Sequence, residues 1–415
     1  MSQPSVPFMW GFSSSSYQYE DPAVERHDPM HFQTDWDLFY LQKGKQAPRA
    51  EGIGGWSDFG REIAALQQVG ASHYRFSVEW ARVEPRPGVY NETAIAEYVR
   101  RARALRAAGI TPVVCLWHFT FPAWATDLKR PERHGWLHPE LQQRWGDYVT
   151  RMVESFGDDV SLYAPQNEPN NVARGAHLWG VFPPGQKLHR RNYLASMDAS
   201  AGRFVQAVQL IRALNPAAKI LSVQNVFAWD EAGPRWLREY IHHFHFRHLD
   251  VIASTLDYLG FNYFTKEPAC LRSAASFLLG AGKAGFSDLG WAIRPDGLYQ
   301  VAKALYQRYR LPLIVTENGV ADAQDVMRAE FLVAHLRELK KLEAEGVPLQ
   351  GYFHWSLADN YEWGVGFKAK FGIFSHCQLS NQLLPKRSAR VYASIIRQGW
   401  HGLSPDMQLE ELGEV

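Results

Sequence analysis

Two glutamates closely follow apolar runs that otherwise carry no charge. Glu317 comes directly after LPLIVT, residues 311–316, and Glu168 follows SLYAPQ, residues 161–166. A charge at the end of a buried strand costs free energy unless a partner compensates it. Two facing carboxylates can cleave a glycosidic bond, because one protonates the leaving oxygen while the other attacks or stabilises the anomeric carbon. The distance between them decides retention or inversion, and sequence spacing does not measure it.

Eight strand-like runs alternate with helix-like segments along the chain. The runs are 8–12, 73–78, 111–117, 161–166, 219–225, 258–264, 311–316 and 351–357. Gly70 and Gly109 end two of the intervening helices, as expected of C-terminal glycines. The alternation predicts a single α/β domain over residues 1–415, a (β/α)₈ TIM barrel. A doubly wound sheet is the alternative, but no GxGxxG follows the first strand.

The active site of such a barrel is built at the C-terminal ends of its strands. Polar or aromatic residues lie at or near these predicted ends: Gln18, Arg75, His118, Asn167, Glu168, Asn262, Tyr263, Glu317, Trp355, Glu362 and Trp363. We therefore expect them to converge on one face. Arg75 would favour ionisation of a neighbouring carboxylate, and a like charge would hold another carboxyl protonated.

The two glutamates lie in motifs that resemble those of a known family. NEP at 167–169 and TENG at 316–319 are similar to the acid/base and nucleophile motifs of the family 1 glycoside hydrolases, the retaining β-glucosidases and β-galactosidases. YQYE, YRFSVEW, WHFTFP, GFNYF and HWSLADNYEW follow in the family's order. The resemblance runs from about Phe8 to Ile396, and the archaeal-type β-glycosidases are most similar. It implies hydrolysis of β-glycosides from the non-reducing end, with retention and without a cofactor.

The resemblance also implies roles for single residues. Glu168 would be the general acid/base and Glu317 the nucleophile, paired with Arg75. Asn167 would hold the sugar 2-OH. The first sugar pocket would be lined by Gln18, His118, Trp355, Glu362 and Trp363. DNYEW resembles the version that accepts a free 6-OH, since Glu362 would repel a 6-phosphate.

Two positions depart from the family pattern. Asn262 and Tyr263, both expected to contact substrate, are followed by Phe264, where the family usually has a tyrosine that hydrogen-bonds the nucleophile. Either Tyr263 takes that place or the nucleophile loses one donor. After FGIF, the family generally continues with a short acidic strand, and this chain has SHCQLSNQ instead, which affects the expected loop rather than the chemistry.

The composition of the chain limits the kinds of partner and the cellular compartment that we expect. The net charge of +1 over 415 residues argues against a nucleic acid held by phosphate contacts. No stretch approaches a membrane helix in length, and the first residues lack a secretory pattern. Cys115, Cys270 and Cys377 form no CxxC pair, so we expect a reducing compartment, the cytoplasm. A small-molecule glycoside is the expected partner, and homo-oligomerisation is left open.

Several alternatives to these interpretations remain. The histidines of HHFHFRHLD, residues 242–250, could suggest a metal site, but no carboxylate or cysteine completes it, and a packing helix is favoured. A transglycosidase of the same fold, or a sugar-binding protein with impaired turnover, would also fit the motifs. The aromatic content of 13% suits both a core and a sugar site. Gluco- and galacto-configured sugars are not distinguished.

Overall fold

Nine parallel strands form the central sheet of the computed structural model, which describes residues 7–21, 30–45, 52–229, 234–267, 285–377 and 379–412. The strands are β1 (Met9–Ser13), β2 (His73–Ser77), β3 (Thr111–Cys115), β4 (Leu162–Ala164), β5 (Lys219–Ile220), β6 (Gln224–Ala228), β7 (Leu259–Lys266), β8 (Leu313–Asn318) and β9 (Leu349–His354). Their order in the sheet is β5-β4-β3-β2-β1-β9-β8-β7-β6. β1 pairs with both β2 and β9, so the first and last of these strands along the chain lie side by side in the sheet.

The predicted fifth strand, 219–225, is divided into β5 and β6. β5 pairs with β4, whereas β6 pairs with β7. Between them, the Leu221 N–H donates to the Tyr163 carbonyl at 3.0 Å and Ser222 N–H donates to the Tyr258 carbonyl at 3.3 Å. This segment therefore contacts both edges of the curled sheet. The (β/α)₈ barrel is confirmed, with β5 and β6 together as its fifth strand.

Helices surround the sheet and follow most of its strands. They are α1 (Ser16–Tyr19), α2 (Asp35–Gln42), α3 (Gly60–Val69), α4 (Trp80–Val83), α5 (Glu92–Ala107), α6 (Pro139–Phe156), α7 (Pro169–His177), α8 (Arg190–Leu214), α9 (Arg235–Ile252), α10 (Pro295–Tyr309), α11 (Arg328–Ala344) and α12 (Arg387–Gln398). Short 3₁₀ helices lie at Ala123–Ala125, Pro131–Arg133, Gly135–Leu137, Gly157–Asp159, Ala253–Thr255, Trp363–Val365, Trp400–Gly402 and Leu409–Leu412. Gly70 and Gly109, with φ of 75° and 76°, follow α3 and α5 as expected.

Apolar side chains fill both faces of the sheet, as its continuous hydrophobic strands predict. One buried cluster draws on strands from around the barrel, including Met9, Val113, Leu162, Ile314 and Phe353. A larger cluster packs the other face of the strands against the helices. Because apolar groups take the middle of the strands, polar side chains gather where the strands end.

A two-stranded antiparallel hairpin forms where the sequence departs from the family pattern after FGIF. It consists of β10 (Phe374–Cys377) and β11 (Gln382–Pro385). β10 is connected to the region after β9 through the bridge between Ala358 and Phe374. The departure in sequence therefore changes a surface hairpin and leaves the barrel strands unchanged.

Candidate active site

A cavity of about 390 Å³ lies at the C-terminal end of the barrel. Glu168 and Glu317 both line it, although 149 residues separate them in the sequence. The other predicted site residues that line it are Gln18, His118, Asn167, Trp355, Glu362 and Trp363. These eight residues therefore converge on one cavity, as their positions at the strand ends predicted.

Glu168 has an unusual backbone conformation at the junction of β4 and α7. Its φ of 44° and ψ of 50° place it in the left-handed region, immediately before Pro169. Its N–H donates to the Val223 carbonyl at 2.8 Å. Two more residues that line the cavity, Phe119 and Trp363, have φ of 71° and 38°. Such conformations cost about 1–3 kcal/mol each and cluster at functional sites.

Three amide groups hold the carboxylate of Glu168. Asn171 Nδ2 donates to Oε2 at 2.8 Å, while Asn225 and Asn262 donate from Nδ2 to Oε1 at 2.9 and 2.7 Å. Asn262 therefore contacts the carboxylate of Glu168 and is not among the residues that line the cavity. Asn225 was missed in the sequence, although it is the polar residue that ends the run KILSVQN. Together the three amides fix the direction in which Glu168 points.

Glu317 is paired with the buried guanidinium of Arg75. Arg75 also donates to Asn167 Oδ1 at 2.8 Å and to Ser13 Oγ at 2.9 Å, so its position is fixed from three sides. Burial raises the pKa of the Glu317 carboxyl to about 8, Arg75 opposes this rise, and the charge of Glu168 reinforces it. The predicted pairing between Arg75 and Glu317 is therefore present.

The inner end of the cavity carries polar atoms without protein partners. Asn167 Nδ2 donates to His118 Nε2 at 3.1 Å, which places the proton of the neutral ring on Nδ1. Burial and the charge of Arg75 hold the pKa of His118 well below its usual range. His118 Nδ1 and Gln18 Oε1 have no hydrogen-bond partner among the described residues. Buried polar groups of this kind are normally satisfied, so they can receive the hydroxyls of a ligand.

Glu362 closes this inner end together with two tryptophans. Its Oε2 accepts a hydrogen bond from Gln18 Nε2 at 3.2 Å. Burial raises the pKa of Glu362 to about 8, the charge of Glu168 acts in the same direction, and hydrogen bonds from Trp355 and Gln18 oppose it. The ring of Trp355 lies 6.2 Å from that of His118, and the ring of Trp363 lies 6.5 Å from it. Flat rings beside carboxyl and amide groups suit a sugar ring with its hydroxyls.

Tyr263 does not belong to the cavity, which corrects its predicted role. Its hydroxyl donates to the Arg294 carbonyl at 2.6 Å, and its ring faces His335 on α11. Successive side chains of a strand point to opposite faces, so Asn262 and Phe264 face inward and Tyr263 faces the helices. Tyr263 therefore does not take the place of a hydroxyl at position 264, where Phe264 lines the cavity.

Two histidines of the histidine-rich segment have hydrogen-bond partners in the protein. His245 Nε2 lies 3.3 Å from the Phe227 N–H, and His248 Nε2 lies 3.4 Å from Ser200 Oγ. Throughout the part of the chain that the structure describes, no three His, Cys, Asp or Glu side chains are grouped as a metal site. In the same ranges, the helices are too short or too polar to cross a membrane.

Two carboxylates at the C-terminal mouth of a (β/α)₈ barrel, one paired with an arginine, are groups that cleavage of a glycosidic bond requires. The chain belongs to glycosyl hydrolase family 1, whose model matches residues 3–236 and 235–400. It is therefore an O-glycosyl hydrolase by family, as the motifs predicted.

Known relatives agree with this assignment. The chain is 27% identical to a β-galactosidase of Sulfolobus acidocaldarius, with 94% of both chains covered. It is also 27% identical to β-glucosidase A of Thermotoga maritima, over 94% of this chain and 97% of that one. Among solved structures, a Thermotoga maritima β-glucosidase in complex with glucoimidazole superposes with a TM-score of 0.82 at 26% identity, covering 95% of this chain and 98% of that chain.

Proposed function

We propose that this protein is a retaining exo-β-glycosidase that hydrolyses β-glucosides, with β-galactosides and β-fucosides as further candidates. The observation that carries the proposal is the presence of Glu168 and the Arg75-paired Glu317 in one cavity. Glu317 would attack the anomeric carbon while Glu168 donates a proton to the leaving oxygen. Glu168 would then act as base on water, which hydrolyses the glycosyl ester and leaves the anomeric configuration unchanged.

The partners of the two glutamates support this division of roles. Arg75 favours the ionised Glu317 that a nucleophile requires. Glu168 has no cationic partner among its three amide contacts, so its carboxyl can exchange a proton without breaking an ion pair. The partnerless atoms of Gln18 and His118 would receive hydroxyls of the sugar. Asn167, which both Arg75 and His118 hold, would be the contact of the 2-OH.

The expected compartment forms part of the proposal. Cys115 is buried and unpaired, and Cys377 is also free. Cys270 lies outside the described residues. Free thiols are typical of a reducing compartment, which supports the cytoplasm.

The first test is nitrophenol release from nitrophenyl β-glucoside, β-galactoside and β-fucoside near neutral pH. We expect release by the parent protein and a loss of several orders of magnitude in Glu317→Ala, because the variant lacks the nucleophile. Thermal unfolding of both proteins controls for folding. The anomer formed first, followed by NMR, distinguishes retention from inversion, and an inverted product would contradict the assigned mechanism.

The same assays separate the two alternatives. A transglycosidase would give glycosylated products in place of free sugar when an alcohol or sugar acceptor is added at high concentration. A sugar-binding protein would bind the glycosides without releasing nitrophenol. Intact Glu168 and Glu317 argue against the second alternative.

A further inference from the structure

Thr316 is an extra residue in β8, directly before the proposed nucleophile. Val315 pairs with Phe261 on β7, whereas the next residue of β7, Asn262, pairs with Glu317. A residue inserted in this way changes the alternation of side chains beyond it, and such bulges are common at barrel rims and beside active sites. Thr316 Oγ1 donates to Asn262 Oδ1, while Glu317 lines the cavity. Two consecutive side chains therefore face the interior of the barrel.

Strict alternation along β8 would turn Glu317 away from the cavity. Leu313 and Val315 belong to the cluster that packs the strands against the helices, and Glu317 is the next residue of that series. Ile314 belongs to the cluster shared by strands from around the barrel, and Thr316 is the next residue of that second series. The insertion therefore brings Glu317 to the side on which the hydroxyl of Thr316 already lies.

Ser13, the last residue of β1, connects the arginine partner of Glu317 to the backbone of β8. Arg75 Nε donates to Ser13 Oγ at 2.9 Å, and Ser13 Oγ donates to the Thr316 carbonyl at 2.7 Å. Ser13, Arg75 and Thr316 are all fully buried. The Ser13 hydroxyl thus gives its one proton to the residue that precedes Glu317 and accepts from the guanidinium that holds the Glu317 carboxylate.

The hydroxyl of Thr316 extends this connection to the other carboxylate. It donates to Asn262 Oδ1 at 2.7 Å, and Asn262 Nδ2 donates to Glu168 Oε1, also at 2.7 Å. The oxygen and the NH₂ group of an amide point in different directions from the same carbon. The bond from Thr316 to the oxygen therefore holds the NH₂ group of Asn262 toward Glu168.

We propose that the hydroxyls of Ser13 and Thr316 are positioning groups, which hold the two glutamates at a fixed distance and orientation to each other. This inference rests on the proposed function, since it assigns attack to one glutamate and proton transfer to the other. One series of hydrogen bonds joins the residues, in this order: Glu317, Arg75, Ser13, Thr316, Asn262 and Glu168. A small displacement of a reacting group lowers the rate, so loss of either hydroxyl should be measurable.

Ser13→Ala tests the support of Glu317. Arg75 opposes the rise that burial causes in the pKa of Glu317, so a less firmly held guanidinium should let that pKa rise further. We expect the titration of Glu317, followed by NMR with ¹³C-labelled glutamate carboxyls and assigned with Glu317→Gln, to move to higher pH. At the optimum pH, kcat/KM should fall about tenfold for both an unactivated and a dinitrophenyl β-glucoside, because both need the nucleophile. Ser13→Cys, whose thiol bonds more weakly, is the second variant and should give a smaller shift.

Thr316→Val removes the second hydroxyl and keeps the shape of the side chain. The amide of Asn262 then loses the donor to its oxygen, and its bond to Glu168 is no longer fixed. We expect kcat/KM for an unactivated β-glucoside to fall about fivefold, whereas that for a dinitrophenyl β-glucoside, whose leaving group needs no acid, should stay within about twofold. Thr316→Ser retains the hydroxyl and should recover most of the loss. Thr316→Ala replaces the valine variant if that variant does not fold.

Ser388 on α12 provides a matched control. Like Ser13, it is fully buried, and its Oγ donates to Asp325 at 2.7 Å. Neither Ser388 nor Asp325 is among the residues that line the cavity. Ser388→Ala should lower Tm, because a buried hydrogen bond is lost, and should change neither the titration of Glu317 nor kcat/KM for either substrate by more than about twofold.

The outcomes separate this inference from the proposed function. A Glu317 titration that moves to higher pH in Ser13→Ala, with a loss in Thr316→Val that only the unactivated substrate shows, supports the inference. A titration that stays in place in Ser13→Ala overturns it, and so do equal losses with both substrates in Thr316→Val. If the parent protein hydrolyses no glycoside, the proposed function fails, while the titration in Ser13→Ala still supports or overturns the positioning.

Discussion

At the scale of single residues, the charge of Glu168 acts directly on Glu317. It reinforces the rise that burial causes in the pKa of Glu317, against the opposing effect of Arg75. As the proposed nucleophile, Glu317 must be ionised to attack, so its protonation would set the acid side of the pH profile. Removing the charge of Glu168 should therefore make ionisation of Glu317 easier.

Glu168→Gln tests this coupling. With a dinitrophenyl β-glycoside, whose leaving group needs no acid, kcat/KM reports the free enzyme, and its acid limb should move to lower pH in the variant. With an unactivated glycoside, the same variant should lose about 10²–10⁴-fold, because proton donation is lost. Glu239→Gln, at an exposed site on α9, should change neither profile. An acid limb that stays in place or rises would show that Glu168 does not influence Glu317.

The meeting of the two glutamates in one cavity could be predicted from the sequence, whereas their roles stay predictions. Glu168 and Glu317 lie in NEP and TENG, so their meeting in the cavity followed from strand ends in a barrel. The predicted substrate contact of Tyr263 was wrong. The resemblance identifies a position in the sequence, whereas the alternation of side chains along β7 decides whether that residue faces the cavity or the helices. Asn225 was missed because its importance lies in a hydrogen bond to Glu168, on a different strand of the barrel. Nothing in KILSVQN indicates that contact.

At the scale of elements, α7 connects Glu168, the proposed acid/base, to the wall of the cavity. The helix begins at Pro169, directly after Glu168, and carries Asn171 and Arg174 on the turns that follow. Arg174 holds Asn171 and Glu267 at once, and Asn171 holds Glu168. Arg174 is thus a positioning residue, which acts on Glu168 through Asn171.

Arg174→Lys should weaken this arrangement, because an ammonium group lacks the planar fork that serves two partners. We expect kcat/KM for an unactivated glycoside to fall about tenfold, the size of one charge-assisted hydrogen bond. For a dinitrophenyl glycoside, kcat/KM should stay within about twofold, because it reports the first step, in which that leaving group needs no acid. Arg247→Lys is the control, since Arg247 pairs with Asp198 at 2.7 Å on the surface. Equal losses with both substrates would refute a role in aiming Glu168.

The bounds of a strand could be predicted from the sequence only where the whole strand pairs with the same neighbours. The run 219–225 is continuous in sequence, but its two halves pair with different neighbours, β4 and β7, as the barrel closes. Partner choice of this kind depends on the whole sheet and not on local propensity. The hairpin of β10 and β11 was likewise not predicted, because an irregular polar sequence specifies no pairing by itself.

At the scale of the whole molecule, burial shifts the pKa values of many ionisable groups, downward for histidines and upward for carboxyls. It lowers the pKa of one set of histidines to about 3 or 4: His134, His177, His245, His248 and His335. Burial also raises the pKa of Glu62 to about 7 and those of Glu317 and Glu362 to about 8. The folded chain therefore holds neutral histidines and protonated carboxyls that would both be charged in the unfolded chain near pH 6.

These shifts predict a stability maximum near pH 6.5. As pH falls below about 6.5, unfolded histidines bind protons that the buried ones do not, so stability falls. Between about pH 4.5 and 8 the raised carboxyls favour the folded state less as pH rises, because the unfolded carboxyls have already lost their protons. Below 6.5 the histidines outnumber these carboxyls and their effect prevails, whereas above 6.5 the effect of the carboxyls prevails.

Thermal unfolding from pH 5 to 9 at constant ionic strength and scan rate measures both flanks. Glu362→Gln should make the alkaline decline of Tm shallower and the acid flank steeper, because the amide cannot titrate and the contribution of this carboxyl between about pH 4.5 and 8 is lost. A maximum below about pH 5.5 would contradict the histidine contribution. An alkaline decline of unchanged slope in Glu362→Gln would show that Glu362 is already ionised at neutral pH, and its charge would then face the inner end of the cavity during binding.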